Sequence, residues 1–421
     1  MSDVKYVSLK ELCTVNQGLQ IPISERYTEP GENRFFYITV QFLKDKNEES
    51  FYIENPPKST ICYKDDIIVV RTGSTGQVLT GIEGCFHNNF FKVNYNKLRL
   101  NHKYLYYCLT SKEKQKEMYL RSGITTIPDL NHFMFLDIKI PFQELPTQQK
   151  IASVLSALDD KIELNNRINA ELEAMAKTLY DYWFVQFDFP IVTSSGVEKP
   201  YKSSGGKMVY NETLKREIPE GWEVKSLSGL VDFTRGISYT SSTINDNEGI
   251  PMINLKSFNL NGTYRIDGLK YFTGKLNENK IINKNDLLIA ITDVTREAEI
   301  IGKAILSPDF GNKTVCSCDV ARIDILKNSF SKNYLRYLFN SNHYHNYIKH
   351  FASGTLVLHL DLNGILWYKD IIPPINLQNK FEDVVNEIDE KITNNLKQNQ
   401  ELSALRDWLL PMLMNGQVKV G

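Results

Sequence analysis

A long helical pattern that occurs twice is the feature that most constrains this chain. PTQQKIASVLSALDDKIELNNRINAELEAM begins at Pro146, and LQNKFEDVVNEIDEKITNNLKQNQELSAL begins at Leu377. Asn165 matches Asn395, an offset of 230 (395 − 165), and the same offset pairs Asp159 with Asp389, Lys161 with Lys391, Ile162 with Ile392 and Leu172 with Leu402. Upstream the likeness persists with small drifts, as changes in loop length would cause. NHKYLYYCLTSK resembles SKNYLRYLFNSN, RSGITTIPDLN resembles ASGTLVLHLDLN, LDIKIPF resembles KDIIPPI, VSLKELCTVNQG resembles KSLSGLVDFTRG, and YKDDIIVVRTG resembles NKNDLLIAITD. The chain is therefore an internal repeat of a globular unit followed by a long helix.

Two interleaved heptad series run through each helix. In the first they are Ile151, Leu158, Asn165, Leu172, Leu179 and Leu155, Ile162, Asn169, Ala176, Trp183. In the second they are Phe381, Ile388, Asn395, Leu402, Leu409 and Val385, Ile392, Asn399, Arg406, Leu413. Such spacing makes a seam for a partner helix. Asn165, Asn169, Asn395 and Asn399 interrupt it at equivalent sites. A buried amide prefers another amide across the seam and penalises slipped registers, so the expectation is that the two helices pack on each other. A pseudo-twofold relation would run them antiparallel, as a stiff spacer of about 50 Å at 1.5 Å per residue. Ordinary amphipathic helices with solvated asparagines are the plainer alternative, and the repetition of the positions argues against it.

Length and composition fit this plan. A chain of 421 residues with 42% hydrophobic content can bury more than one core. The sequence expectation is a cytosolic chain: no apolar run approaches the roughly 20 residues of a membrane span, and MSDVKYVSLK has no signal-like pattern. Cys13, Cys62, Cys85, Cys108, Cys316 and Cys318 are scattered and read as buried free thiols, not a zinc site. A net charge of −1 excludes a uniformly basic coat, yet acidic helices such as FEDVVNEIDEK can hide a local basic face within that total. Short β-rich runs (DIIVVR, DLLIAI) with turn clusters and one shorter helix per unit give an α+β fold. The domain expectations are a first globular domain at 1–146, a central long helix at 147–187, an exposed connector at 188–219, a second globular domain at 220–376 and a distal long helix at 377–416.

Catalytic motifs are weak. NPPK at Asn55 to Lys58 approaches the motif that orients the target amine in amino-methyltransferases, but Lys58 stands where an aromatic would stack. A Gly-rich strand-turn-helix for the cofactor is also lacking. RTGSTG at Arg71 lacks the ending of a phosphate-binding loop, and His343 and His345 fall on different helix faces. No metal site or catalytic residue is expected, and the chain reads as a binding device. Duplex DNA suits two polar-looped units on a spacer, with two half-sites mirroring two readers. The candidate DNA-binding residues are Lys44, Arg71, Thr72, Ser74, Thr75, Gln77, Arg121, Ser122 and Thr125 in the first unit. In the second they are Arg235, Tyr239, Ser241, Lys256, Thr292, Thr295, Arg296, Ser353 and Thr355. Arginine forks, hydroxyls and amides of this kind grip phosphates and read base edges.

The text of the chain also resembles a family. Gln148 to Ala152 (QQKIA), Leu158 to Ile162 (LDDKI) and the connector ending in IPEGW closely resemble the specificity subunit of type I restriction-modification systems, and the resemblance covers essentially the whole chain. It implies two α/β target-recognition domains, each reading half of a bipartite target, separated by an antiparallel coiled coil of two long conserved helices. It implies two modification subunits carrying S-adenosylmethionine and methylating adenine, and restriction subunits using ATP and Mg, with no cofactor on this chain. Glu163, Arg167, Lys177, Lys391 and Lys397, outside the seam, are the candidates for docking those partners. Two departures stand out: Arg406 replaces the equivalent of Ala176, so packing near that end is expected either to differ or to involve an acidic neighbour, and Pro411 is expected to end or kink the distal helix. A coiled-coil scaffold with two adaptor domains and a self-contained methyltransferase are the rival readings.

Overall fold

A computed structural model describes residues 4–44, 49–123, 128–192, 196–265, 268–295 and 297–420. The chain divides into two compact units, one of residues 1–167 with 394–421 and the other of residues 168–393. Each unit thus holds one globular domain and parts of both long helices.

In the first unit a four-stranded antiparallel sheet has the order Cys13–Gln17, Phe90–Tyr95, Ile67–Val70, Val78–Leu79. All four residues of Ile67–Val70 are buried, which accounts for the unbroken apolar run in place of alternation. A second sheet has the order Tyr52–Glu54, Arg34–Ile38, Gly84–Phe86, Ile61–Cys62, with its two middle strands parallel. Lys5–Ser8 pairs with Lys139–Phe142, so the domain closes at the point where the long helix departs.

The second unit repeats this wiring. Its antiparallel sheet runs Val231–Arg235, Val320–Ile325, Leu287–Ala290, Ala304–Leu306. Its other sheet places Ile250–Ile253 parallel to Val315–Cys316, and Glu223–Ser226 pairs with Lys369–Ile372. The repeat extends to single groups. Asn101 and Ser331 cap the helices His102–Thr110 and Lys332–Asn340, and Ser111 and Ser341 cap the helices that follow. The hydroxyls of Tyr104 and Tyr334 donate to the carbonyls of Pro141 (3.0 Å) and Ile371 (3.2 Å). Gly18 and Gly236 lie so close to the carbonyls of residues 86–87 and 316–317 that a Cβ at either would collide with backbone.

The QQKIA opening has a physical reason. Gln148 is fully buried; its Oε1 accepts from the Asn101 amide (2.8 Å) and its Nε2 donates to the carbonyls of Arg99 (3.0 Å) and Gln143 (2.8 Å). Gln378, also fully buried, accepts from the Ser331 amide (2.9 Å) and donates to the Pro373 carbonyl (2.7 Å). One buried amide in each unit ties the start of the long helix to its domain.

The long helices span Leu145–Tyr180, continued by a π-helical turn at Asp181–Val185, and Ile375–Met414. Both heptad series are buried or half-buried throughout. In the first unit Asn165 faces Asn399, Asp159 faces Arg406, and Ile151 and Leu155 share a core with Leu410, Leu413 and Met414. Numbers rise along one helix as they fall along the other, so the pairing is antiparallel. In the second unit Tyr180, Trp183 and Phe184 pack their rings around Phe381, with centroids 6.0, 6.0 and 5.3 Å away. The aromatic run is met by an aromatic there, while its counterpart at 410–414 packs aliphatic side chains.

Three expectations need correction. Pro411 does not end the distal helix, which continues to Met414: the missing N–H falls in the last turn, and the Pro411 carbonyl still accepts from Asn415 (3.0 Å). The stretch at 188–219 is not simply an exposed connector. It forms two hairpins, Pro190–Val192 with Glu198–Pro200 and Met208–Asn211 with Arg216–Pro219. Phe189, buried, anchors them by stacking on Tyr201 (4.7 Å) and Trp222 (5.1 Å). Cys318 is exposed, whereas the other five thiols are buried.

Candidate nucleic-acid interface

In the first domain the structure brings two of the predicted segments together. Residues 71–77 join the strands Ile67–Val70 and Val78–Leu79, and they lie against 128–130: the Leu130 amide donates to the Arg71 carbonyl (3.1 Å), and Thr72 bridges Asp129. The Arg71 guanidinium is committed within the domain, its Nε and Nη2 donating to the two carboxylate oxygens of Asp129 at 2.6 and 2.8 Å. That fork holds the Asp129 carboxyl below the usual aspartate range and raises Arg71 further. Thr75 Oγ1 donates to the Pro128 carbonyl (2.9 Å) and Gln115 Nε2 to the Gly76 carbonyl (3.0 Å). Arg121 is forked onto Glu117 (3.0 and 2.8 Å), and Ser122, buried, donates to Tyr119. Gln77 is exposed and Ser74 half-exposed on this surface. Thr125 and the Lys44 side chain lie outside the described residues.

The second domain builds the same surface from 291–302 and 352–360. Thr292–Asp293 pairs with Leu358–Leu360, which pairs back with Ala352–Ser353. Asp293 is buried and organises the longer loop: Oδ1 accepts from the amide (2.7 Å) and hydroxyl (2.8 Å) of Thr295, and Oδ2 from the amides of Ile300 (2.6 Å) and Ile301 (3.3 Å). Thr292 is buried and donates to Asp319 (3.0 Å). Ser353 and Thr355 are exposed at the hairpin, where Leu356 is 84% exposed. Arg296 lies outside the described residues.

Arg235, Tyr239 and Ser241 are exposed together after the strand that ends at Arg235, and Lys256 is exposed in the turn after Ile250–Ile253. At the matching place in the first domain Arg26, Phe36, Tyr37, Thr39, Gln41, Phe51, His87 and Asn89 are among the residues lining a cleft of about 540 Å³. Arg26 sits there over the rings of Tyr37 (5.0 Å) and Phe51 (5.4 Å), and burial, with Arg26 adding to it, lowers the His87 pKa. Sequence reasoning missed this cleft because its residues come from four separate segments. Among the described residues no group of His, Cys, Asp or Glu could hold a metal ion, and no helix is long and apolar enough to cross a membrane.

Two of the four seam asparagines, Asn165 and Asn399, join an amide network with Asn166 and Gln398. Asn165 Nδ2 donates to Gln398 Oε1 (2.8 Å) and Asn399 Oδ1 (2.9 Å), and Asn399 Nδ2 donates to Asn166 Oδ1 (2.8 Å). Asn169 is buried and Asn395 half-buried. Of the two outcomes expected at Arg406 the acidic neighbour is the one present: Nη1 donates to Asp159 Oδ1 (2.6 Å), while Tyr107 donates to Asp159 Oδ2 (2.6 Å). Glu163, Arg167, Lys177, Lys391 and Lys397 are all exposed, Lys177 pairing with Asp181. Beside them the helices expose apolar side chains that the heptad reading passed over, among them Met175 (62%) and Trp408 (56%).

Comparison with known proteins follows the same two-part division. The model of a family described as the type I restriction modification DNA specificity domain matches residues 1–174 and again 219–404. The chain is 29% identical over 372 residues to the type I restriction enzyme MjaIX specificity subunit of Methanocaldococcus jannaschii, covering 85% of this chain and 78% of that protein. It is 25% identical over 372 residues to the type I restriction enzyme HindI specificity subunit of Haemophilus influenzae, covering 75% and 77%. The crystal structure of the type I restriction-modification S subunit from M. genitalium shares the fold, with a TM-score of 0.58 at 17% identity over 98% of this chain and 97% of that one.

Proposed function

The chain belongs to the type I restriction modification DNA specificity family, and from that premise we propose that each of its domains reads one half of a bipartite DNA target. It is a DNA specificity subunit, a non-catalytic recognition component that works in association with DNA and the other subunits of a restriction-modification enzyme. The observation that carries the half-site reading is the doubled match at 1–174 and 219–404 on two domains of one wiring.

On this reading the exposed loop side chains Gln77, Ser74, Tyr239, Ser241, Lys256, Ser353 and Thr355 face the duplex, most of them through phosphates and a minority through base edges. The paired helices set the spacing between half-sites. Their exposed side chains, Glu163, Arg167, Lys177, Lys391 and Lys397 among them, dock two modification subunits. S-adenosylmethionine is bound on those subunits, and ATP and Mg on two restriction subunits where the host supplies them.

The test is methylation-site mapping in a host expressing this chain with its methyltransferase, before and after residues 220–376 are exchanged for another domain of the family. A bipartite adenine-methylated motif in which one half changes is the expected result. A continuous motif, or none, would return the chain to the scaffold reading.

A further inference from the structure

The two domains carry different side chains at one shared position beside their loops. Gln115 donates to the Gly76 carbonyl; at the equivalent position in the second domain stands His345, half-buried, near the backbone of Ile301 and so next to Gly302. Gly76 and Gly302 are equivalents, each with left-handed φ (+85° and +73°) and each donating its amide to the end of the preceding strand, Val70 and Ala290. In the first domain, then, a side chain from the second short helix grips the closing end of the loop.

Beyond that grip the domains diverge. Arg71 and Ile291 are equivalent by their backbone bonds: their amides donate to Asn89 and Asp319, and their carbonyls accept from Leu130 and Leu360. The first domain pins its short loop with the Arg71–Asp129 fork. The second has Ile291 and His359 at those places, and pins its longer loop from inside with the buried carboxylate of Asp293. An arginine forked onto a carboxylate is close to neutral as a pair, so it releases little counterion from a duplex. Drawing Arg71 away to a phosphate would leave the Asp129 charge facing the same DNA.

Resting on the DNA-reading function above, we infer that Arg71, Asp129 and Gln115 in the first domain, and Asp293 in the second, are positioning residues for half-site specificity. They fix the loops that read the target and do not touch the duplex themselves. Specificity in each half depends on this pinning because a loop free to sample other conformations reads several base patterns with similar affinity.

The experiment uses the chain co-expressed with its methyltransferase subunit. Methylated motifs are mapped for wild type, R71D, D129R and the charge-swapped R71D/D129R, with Q115A beside them. The single charge variants lose about tenfold or more discrimination in the half assigned to the first domain, and the other half stays intact. The swap recovers most of that loss, and Q115A loses discrimination in the same half. Binding of the complex to a duplex carrying the mapped motif keeps its salt slope in R71A. A slope shallower by about 0.9, the signature of one lost phosphate contact, would overturn the inference, as would a swap no better than R71D. Equal recognition by Q115A and wild type would remove Gln115 from the set. If wild type itself yields no motif, it is the DNA-reading function that fails.

Discussion

Replacing Asn165 and Asn399 together by leucine separates stability from register. The wild-type network has three amide hydrogen bonds of 2.8–2.9 Å around this pair, each contributing about 0.5–1.5 kcal/mol net. N165L alone removes two of them and leaves the buried Asn399 carbonyl without its donor, a cost of about 1–3 kcal/mol that roughly cancels the gain of about 1.5–3 from burying a leucine. N165L/N399L leaves no orphaned group at either site and buries two apolar side chains. It also removes Asn165 Oδ1, which is buried without a hydrogen-bond partner. The double variant is expected to gain about 1–3 kcal/mol, and at about 2–4 °C per kcal/mol for a unit of this size its melting temperature rises by several degrees. Its seam then discriminates less against slipped registers, since a shift no longer strands an amide against leucine, a penalty of about 2 kcal/mol or more. Calorimetry reads the first effect, and mapped motifs with half-site spacings one base longer or shorter read the second. A double variant less stable than wild type, or one with an equally sharp spacing, would refute the argument.

Two further predictions follow from polar groups. R406A restores the alanine of the central helix but strips Asp159 of its 2.6 Å partner, leaving only Tyr107; both charged side chains are about one-third exposed, so the cost is about 1–2 kcal/mol, read by denaturant unfolding, and D159N/R406A should recover part of it. Burial lowers the pKa of His87, His102, His132 and His345 below the ordinary 6.5; the unfolded chain therefore binds more protons, stability is complete above about 6.5 and lost as pH falls through the folded values, and melting temperature should drop between about pH 7.5 and 5.5. A melting temperature that stayed flat or rose over that range would contradict the burial of these rings.

The repeat and the helices were legible because helical periodicity and buried amides are local facts. An asparagine at a heptad position states its own environment, and so does a glutamine in the first turn that repeats 230 residues later. The loops were legible only as composition. Arg71, Thr75, Ser122 and Thr292 have the chemistry of DNA contacts, yet their partners Asp129, Pro128, Tyr119 and Asp319 complete hydrogen bonds within the domain. Three of those four partners lie tens of residues away or across a loop, so no spacing in the sequence could reveal them. Arg406 is the instructive intermediate case: its intrusion into an apolar seam left altered packing or an acid as the outcomes, and Asp159 supplies the acid, because helix periodicity restricts which residues can face it.

The division between repeated and unrepeated groups bears on how such a chain changes its target. The groups that tie each domain to its helix occur twice in the same form: Gln148 and Gln378, Tyr104 and Tyr334, Gly18 and Gly236. The groups that shape the reading loops differ between halves, and each set makes these hydrogen bonds inside its own domain. Substitutions that are far apart and share no partners add nearly independently. Altering the Arg71 loop should therefore leave the Asp293 loop and the seam energetics untouched, so one half-site can change while the other half and the spacing persist. A coupling of more than about 0.5 kcal/mol between R71A and D293N in duplex binding would show that the two readers are not independent.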